Sequence, residues 1–171
     1  MLLKSLLWQS PGILYAGALP VRATSFSFDN ESDALAAAGA PDHGKYCVSL
    51  NGVWKFRYLE DPENLTDADL DADCTAWDDI TVPCPWTVQG FDRPHYTNVK
   101  MPYPEMPPRV AAKNPAGIYR TVFTIPESWN GRRIMVRFDG VESCYTLRVN
   151  NRDAGMAKDS RGSYEFDITE I

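Results

Sequence analysis

Carboxylates and histidines are the residues in this sequence best able to do chemistry, and neither group forms a catalytic or metal-binding pattern by itself. A pair of carboxylates can act as general acid and base. Adjacent Asp78 and Asp79 would point to opposite faces of a strand, so we interpret them as solvated turn residues. The two histidines, His43 and His95, are too few for a metal site. The carboxylates that are candidates by composition alone are Asp78, Asp79, Glu105, Asp159, Glu165 and Asp167.

The cysteines give no indication of a metal site either. The four cysteines are Cys47, Cys74, Cys84 and Cys144, and none has the CxxC spacing of a zinc site. Two disulfides could form in principle, but a domain of this size is stable without them. We therefore predict free, mostly buried thiols in a protein of the reducing cytoplasm.

Composition excludes several classes of partner. The chain has 171 residues, about the size of one domain, with a net charge of −6 and a pI near 4.9. Such a charge argues against nucleic-acid binding. No apolar run approaches the roughly 20 residues needed to cross a bilayer. Residues 9–12, Gln-Ser-Pro-Gly, interrupt the apolar N-terminal stretch and so argue against a cleaved signal peptide.

Alternating apolar and polar residues predict several half-buried antiparallel strands. The alternating runs are Trp54–Tyr58, Tyr119–Ile125, Ile134–Phe138 and Tyr145–Val149. The turn pairs between and beside them are Asn130-Gly131, Asp139-Gly140 and Asn150-Asn151, whose residue types tolerate positive φ angles. Short strands separated by turn signals indicate an all-β antiparallel sandwich.

Only one segment has the pattern of a helix. Asn30 can serve as N-cap, Ala34 to Ala38 are strong helix formers, and Gly39 supplies a stop. We therefore predict at most one short helix in the whole chain, in an irregular N-terminal arm over residues 1–45, and a single β-sandwich domain over residues 46–171.

The segment from Thr81 to Pro108 differs from the rest of the chain. Its prolines are Pro83, Pro85, Pro94, Pro102, Pro104, Pro107 and Pro108, and its aromatic and histidine residues are Trp86, Phe91, His95, Tyr96 and Tyr103. Proline cannot donate to a sheet ladder, so this is no central strand. A long, stiff, aromatic loop is usually functional.

With this loop, the chain resembles the sugar-binding domain of glycoside hydrolase family 2, and its β-galactosidases in particular. The matching segments, in the family's order, are Ser49–Phe56, Val82-Pro83 with Trp86 and Gly90, Tyr96–Val99, Asn114–Arg120, Phe138–Val141, Asp159–Arg161 and Glu165–Ile168. The β-glucuronidases and β-mannosidases share the same domain plan. The loop Tyr96–Val99 and the run Asn114–Arg120 favour the β-galactosidases.

The resemblance implies a jelly-roll-like, galactose-binding-domain-like sandwich packed against a (β/α)8 barrel. In retaining glycosidases the two catalytic carboxyl groups stand roughly 5–5.5 Å apart. In the family both glutamates lie on the barrel and neither maps onto this chain. We therefore expect a non-catalytic domain, inactive alone, of an enzyme that hydrolyses terminal β-D-galactosides. The family's sandwich continues beyond residue 171, so we expect this chain to be a truncated fragment that self-associates. We also expect the parent enzyme to be a homo-oligomer.

Two residues match family positions that contact the sugar. Asn98 matches an asparagine that hydrogen-bonds a substrate hydroxyl, a role that suits an uncharged amide. Asp167 matches an aspartate that contacts the sugar and helps to hold a sodium ion together with barrel residues. The resemblance implies no cofactor in this chain, and sodium and magnesium in the full-length enzyme. Without the resemblance, Asn98 could brace its loop and Asp167 could pair with Arg161.

Several side chains and the domain as a whole also have structural interpretations. Trp86 and Tyr96 could stack on sugars, but we favour packing of both rings into the core of the loop. Asp159 and Arg161 are interpreted as a buried bracing pair. A free-standing lectin-like module and a purely structural interface domain compete with the enzyme-domain hypothesis.

Overall fold

A computed structural model describes residues 7–38, 44–62, 65–96, 98–99, 103–105, 109, 111 and 114–171. Gly39, His43, Pro102, Pro107 and Pro108, which figure in the predictions above, lie outside these residues. The chain forms two compact units, one of Met1–Ser49 with Ile125–Ile171 and one of Leu50–Thr124. The predicted domain boundary between residues 45 and 46 stays a prediction.

Short strands dominate the described residues, and every strand pair is antiparallel. The prediction of an all-β antiparallel fold is therefore confirmed. No described helix is long or apolar enough to span a bilayer. The strands and helices are β1 (Tyr15–Ala16), α1 (Glu31–Ala36), β2 (Gly52–Leu59), α2 (Asp67–Asp71), β3 (Asp78–Val82), β4 (Ala116–Arg120), β5 (Met135–Phe138), β6 (Tyr145–Val149), β7 (Arg152–Ala157) and β8 (Tyr164–Asp167). Single-turn 3₁₀ helices span Leu7–Gln9, Trp86–Gln89 and Glu127–Trp129.

The predicted helix α1 is confirmed. The side chain of Asn30 accepts a hydrogen bond of 2.9 Å from the backbone N–H of Asp33, as an N-cap should. The expectation of at most one short helix was wrong, because α2 also forms. Thr66 and Asp69 build a reciprocal capping box at its N-terminus, which stabilises even a five-residue helix.

Within the described residues of the unit 50–124, the strands form one sheet, in the order β3-β2-β4. In its register Trp54 lies opposite Ile80, and Phe56 lies opposite Tyr119. Since side chains alternate between faces, these residues share one face. Phe56 is fully buried there, and the ring of Phe91 packs edge-on against it with centroids 4.6 Å apart. This face forms the core of the unit.

The described residues of the other unit form two sheets, β1-β7-β6 and β5-β8, which pack together as a sandwich. Its core is formed by Ala157 of one sheet and Tyr164 and Phe166 of the other, all buried. The rings of Phe166 in one sheet and Tyr145 in the other pack against each other, with centroids 6.1 Å apart. The sequence prediction of a β-sandwich is met here, while the jelly-roll strand order stays a prediction.

Two of the three predicted turn pairs adopt the expected backbone. Asn150 and Asn151 have φ angles of +49° and +62° and join β6 to β7 as a tight hairpin. Gly131 has a φ angle of +76°. Asp139 and Gly140 follow β5 without a positive φ at either residue, so the conformational reason given for that pair was wrong.

Two strand predictions need correction. The run from Tyr119 was expected to continue to Ile125, but β4 ends at Arg120, where its register with β2 ends at Lys55. Alternation makes a segment extended, whereas a strand also needs a hydrogen-bonded neighbour. Asp78 and Asp79 were predicted to be turn residues, yet they begin β3 because both pair with β2.

Candidate functional site

The proline-rich loop is anchored on the sheet of residues 50–124 by Trp86. The Trp86 ring lies 6.0 Å from that of Phe56 and 5.9 Å from that of Tyr58, centroid to centroid. Gln89 reinforces this anchor, since its amide accepts from the Thr81 N–H at 2.7 Å and donates to the Thr81 carbonyl at 3.0 Å. The interpretation of Trp86 as a packing residue is confirmed.

The far part of the loop exposes polar and aromatic side chains. The Asn98 Nδ2 donates a hydrogen bond of 3.1 Å to the Tyr96 hydroxyl. The nearby His95 Nδ1 lies 2.6 Å from the Tyr103 hydroxyl, with the two rings edge to face. Tyr96 is 72% exposed, so the interpretation that it packs into the loop core was wrong. The loop presents an amide beside an open aromatic ring.

Asp167 lies at the end of β8 in the other unit, on the face that points away from the core. Its neighbours Phe166 and Ile168 are buried, as the period of two requires. Asp167 Oδ1 accepts from the hydroxyl of Thr169 at 2.6 Å and from its backbone N–H at 3.1 Å. Asp167 Oδ2 accepts from Arg133 Nε at 2.7 Å.

These bonds explain the electrostatics of Asp167. The Thr169 hydroxyl, the Arg133 guanidinium and the Thr169 N–H lower the pKa of the Asp167 carboxyl from 3.8 to about 2, because each stabilises the ionised form. The prediction of a strand-end ion pair is therefore correct in kind, but the partner is Arg133 and not Arg161.

The residues around Asp167 do not by themselves fit a sodium ion. Both carboxylate oxygens accept hydrogen bonds, and Arg133 already supplies the positive charge. Across the part of the chain that the structure describes, no group of three or more acidic, histidine or cysteine side chains lies close enough to hold a metal. A cation at Asp167 would therefore need ligands from elsewhere and would compete with the Arg133 guanidinium.

Three of the remaining candidate carboxylates, Glu165, Asp79 and Asp159, make structural contacts. Glu165, also on the outer face of β8, receives two hydrogen bonds from Arg22, of 2.8 and 3.0 Å. Asp79 pairs with Lys55 at 2.7 Å. Asp159 Oδ1 accepts from the backbone N–H of Arg161, whose side chain is exposed. The interpretation of Asp159 and Arg161 as a buried bracing pair was therefore wrong, because they form a surface turn.

All four cysteines lie within the described residues, and none of them forms a disulfide there, as predicted. Cys47, Cys74 and Cys84 are half-buried, whereas Cys144 is exposed. The prediction that most of these thiols are buried was wrong, because none of the four is fully buried.

Asn98 and Asp167 belong to different compact units. The prediction that both line one sugar pocket stays a prediction. What the sequence missed in each case is the partner that holds the side chain, Tyr96 for Asn98 and Arg133 for Asp167. The two-residue spacing from Tyr96 to Asn98 was visible in the sequence, while Arg133 lies 34 residues before Asp167.

Comparison with known protein families matches residues 47–171 to the family described as glycosyl hydrolases family 2, sugar binding domain. That match covers most of the chain and includes the anchored loop and β8.

The chain belongs to glycosyl hydrolase family 2.

Relatives of this sugar-binding domain extend the match to its N-terminal arm. The chain is 36% identical over 170 residues to a β-galactosidase of Psychromonas ingrahamii, which covers 98% of the chain. It is 38% identical over 164 residues to a β-galactosidase of Vibrio cholerae, which covers 95%. The chain spans 16% of the length of each of these two relatives. The family 2 domain thus corresponds to about one sixth of such a protein.

Proposed function

We propose that this chain is the non-catalytic sugar-binding domain of a retaining β-galactosidase that hydrolyses terminal β-D-galactosides. The observation that carries the proposal is the set of relatives named β-galactosidase that match 95–98% of the chain. The catalytic nucleophile and acid/base are proposed to lie on a barrel domain of the complete enzyme. The domain's own part is to contact the sugar.

Asn98 is proposed to hydrogen-bond a sugar hydroxyl. Its side chain is exposed, and its hydrogen bond to Tyr96 leaves Oδ1 and one N–H for a ligand. An uncharged amide can meet a hydroxyl as donor or acceptor without the cost of burying a charge. This supports a binding role and no proton transfer.

Asp167 is proposed as the second sugar contact. A carboxyl group with a pKa of about 2 is ionised throughout the neutral range, so it acts as a hydrogen-bond acceptor and not as a general acid. Contacts of Asp167 with sodium, and any magnesium requirement, stay predictions for the complete enzyme.

Kinetics of the complete enzyme that carries this domain test both assignments. Asn98→Ala removes a neutral hydrogen bond and should lower kcat/KM for a nitrophenyl β-galactoside by about 2- to 10-fold. Asp167→Asn removes an ionic acceptor and should lower it by about 10- to 100-fold. Glu170→Gln, an exposed carboxylate three residues further along, is the matched control. Unchanged kinetics in Asn98→Ala and Asp167→Asn would instead support the purely structural interface domain.

A lectin-like module is the second candidate, and the 72% exposure of the Tyr96 ring favours it. Aromatic faces of this kind can stack on sugar rings. Calorimetry of the 171-residue chain with galactose or lactose separates the two candidates. The enzyme-domain proposal predicts no measurable heat until the remaining domains are supplied, whereas an autonomous module binds alone.

The substrate, the assembly and the location each need their own measurement. A complete enzyme that prefers β-glucuronides or β-mannosides over β-galactosides would assign the domain to a sister group. Homo-oligomeric assembly and cytoplasmic location stay predictions. Size-exclusion chromatography with light scattering tests the self-association of the chain.

A further inference from the structure

The hydrogen bond between Asn98 and Tyr96 constrains the orientation of the Asn98 amide. The torsion that turns an asparagine amide is broad and roughly two-fold, so a free amide exchanges its oxygen and nitrogen between the same two positions. Here Nδ2 is held 3.1 Å from the Tyr96 hydroxyl. In this arrangement Oδ1 is the amide atom that points away from Tyr96.

Tyr96 is well placed to do this because the loop around it is braced. Pro94 restricts the backbone two residues before Tyr96. His95 is linked to Tyr103 through the 2.6 Å contact of its Nδ1 with the hydroxyl. Most of the Tyr96 side chain is open to solvent. The hydrogen bond of its hydroxyl with Asn98 is therefore the main contact that Tyr96 makes in the described part of the loop.

We propose that Tyr96 is a positioning residue that holds the Asn98 amide through its hydroxyl, so that Asn98 is presented to hydrogen-bond a substrate hydroxyl. This inference rests on the proposed function of Asn98. Tyr96 acts through Asn98, because its hydroxyl holds the amide in place. An amide held in place favours a sugar that has a hydroxyl at that point over one that lacks it.

A double-mutant cycle in the complete enzyme tests the inference. Tyr96→Phe keeps the ring and removes the hydroxyl, so the amide is released without loss of the aromatic surface. We expect kcat/KM for a nitrophenyl β-galactoside to fall about 2- to 5-fold, mostly through KM. In an Asn98→Ala background the same substitution should have no effect, because there is no amide left to orient.

The matched control is Tyr103→Phe, which removes another tyrosine hydroxyl from the same loop. Its effect, through His95, should be additive with Asn98→Ala. Additive behaviour of Tyr96→Phe with Asn98→Ala, or equal coupling for Tyr103→Phe, would overturn the inference while leaving the binding role of Asn98 intact. An Asn98→Ala enzyme with unchanged kinetics would instead overturn the proposed function of Asn98, and this inference with it.

A second measurement does not depend on activity. In the 171-residue chain, the side-chain amide protons of Asn98 should report the hydrogen bond by NMR. Tyr96→Phe should move them toward the shifts of a solvent-exposed amide, and Tyr103→Phe should leave them in place. Asn98 amide resonances that do not respond to Tyr96→Phe would contradict the positioning role, provided that circular dichroism shows the fold unchanged.

Discussion

Arg133 Nε lies 2.7 Å from Asp167 Oδ2, and this contact joins the end of β8 to the residues just before β5. Thr169 completes the arrangement, because its hydroxyl donates to Asp167 and accepts from the Ile134 N–H at 2.9 Å. One carboxylate thus organises the end of the β5-β8 pair, and the same carboxylate is the proposed sugar contact.

The first prediction concerns acid. The Asp167 pKa is about 2 in the folded chain, below its ordinary value of 3.8. A lowered folded-state pKa stabilises the protein above pH 3.8, and this contribution is lost as pH falls from 3.8 through 2. The urea midpoint of Asp167→Asn should therefore lie below that of the original chain at pH 5–7, and the gap should narrow below pH 4. Thr169→Val should also lower the urea midpoint at pH 5–7. A difference in midpoint that does not change with pH would contradict the conclusion that the ionised Asp167 carboxylate stabilises the fold.

The second prediction concerns the packing of the loop anchor on the sheet. A Cβ atom added at Gly117 would lie 2.4 Å from Cε2 of Phe56 and 2.8 Å from the Trp86 ring. Both rings would have to shift, and overpacking of this kind costs about 1–3 kcal/mol. Gly117→Ala should lower the free energy of unfolding by that amount in urea titrations. Gly12→Ala is the control, because a Cβ atom there meets nothing within 4 Å.

The third prediction concerns the β6-β7 hairpin. Asn151 has a φ angle of +62°, a left-handed conformation that asparagine and glycine tolerate better than other residues. Asn151→Ala should destabilise the chain by about 1 kcal/mol, while Asn151→Gly should be neutral or slightly stabilising, since Asn-Gly is the favoured pair for such turns. Thermal unfolding of both variants checks this, and equal melting temperatures would show that the turn is not under this constraint.

The fourth prediction concerns the hydrogen bonds by which Arg120 holds the C-terminal end of α2. Arg120 Nη1 donates a hydrogen bond of 2.6 Å to the Ala72 carbonyl, and Nη2 donates to the Leu70 carbonyl. A cation at a helix C-terminus pairs with carbonyls that have no partner within the helix. Arg120→Met should destabilise the chain by about 1–2 kcal/mol. It should also speed amide hydrogen exchange in α2 more than in β5.

The control for that experiment is Arg152→Met, which removes an exposed arginine from the other unit. In the Arg152→Met variant, the amide hydrogen exchange rates of α2 should match those of the original chain. Slow exchange in α2 after Arg120→Met would mean that the capping box of Thr66 and Asp69 holds the helix without the arginine.

Local sequence predicted much of this fold, because strands and turns depend on neighbouring residues. Alternation marked β2 and β6, and the Asn150-Asn151 pair marked the hairpin between β6 and β7. The strand β7 itself was not predicted, since Arg-Asp-Ala-Gly-Met-Ala alternates weakly. It forms because β6 and β1 pair with it and because Gly155 leaves room for the ring of Phe166.

The resemblance of the sequence to the family supplied Asn98 and Asp167 as candidate sugar contacts. The sequence by itself determined the all-β character, the helix α1 and the proline-rich loop. Those features depend on periodicity, turn chemistry and motifs that lie close together along the chain. Only the tertiary structure decided that Arg133 pairs with Asp167 and that Arg120 hydrogen-bonds the end of α2. It also decided that Tyr96 is exposed, whereas Trp86 packs against Phe56. Each of these outcomes depends on contacts between residues that are far apart in sequence, or on which face of a loop is buried. A local sequence pattern does not determine either.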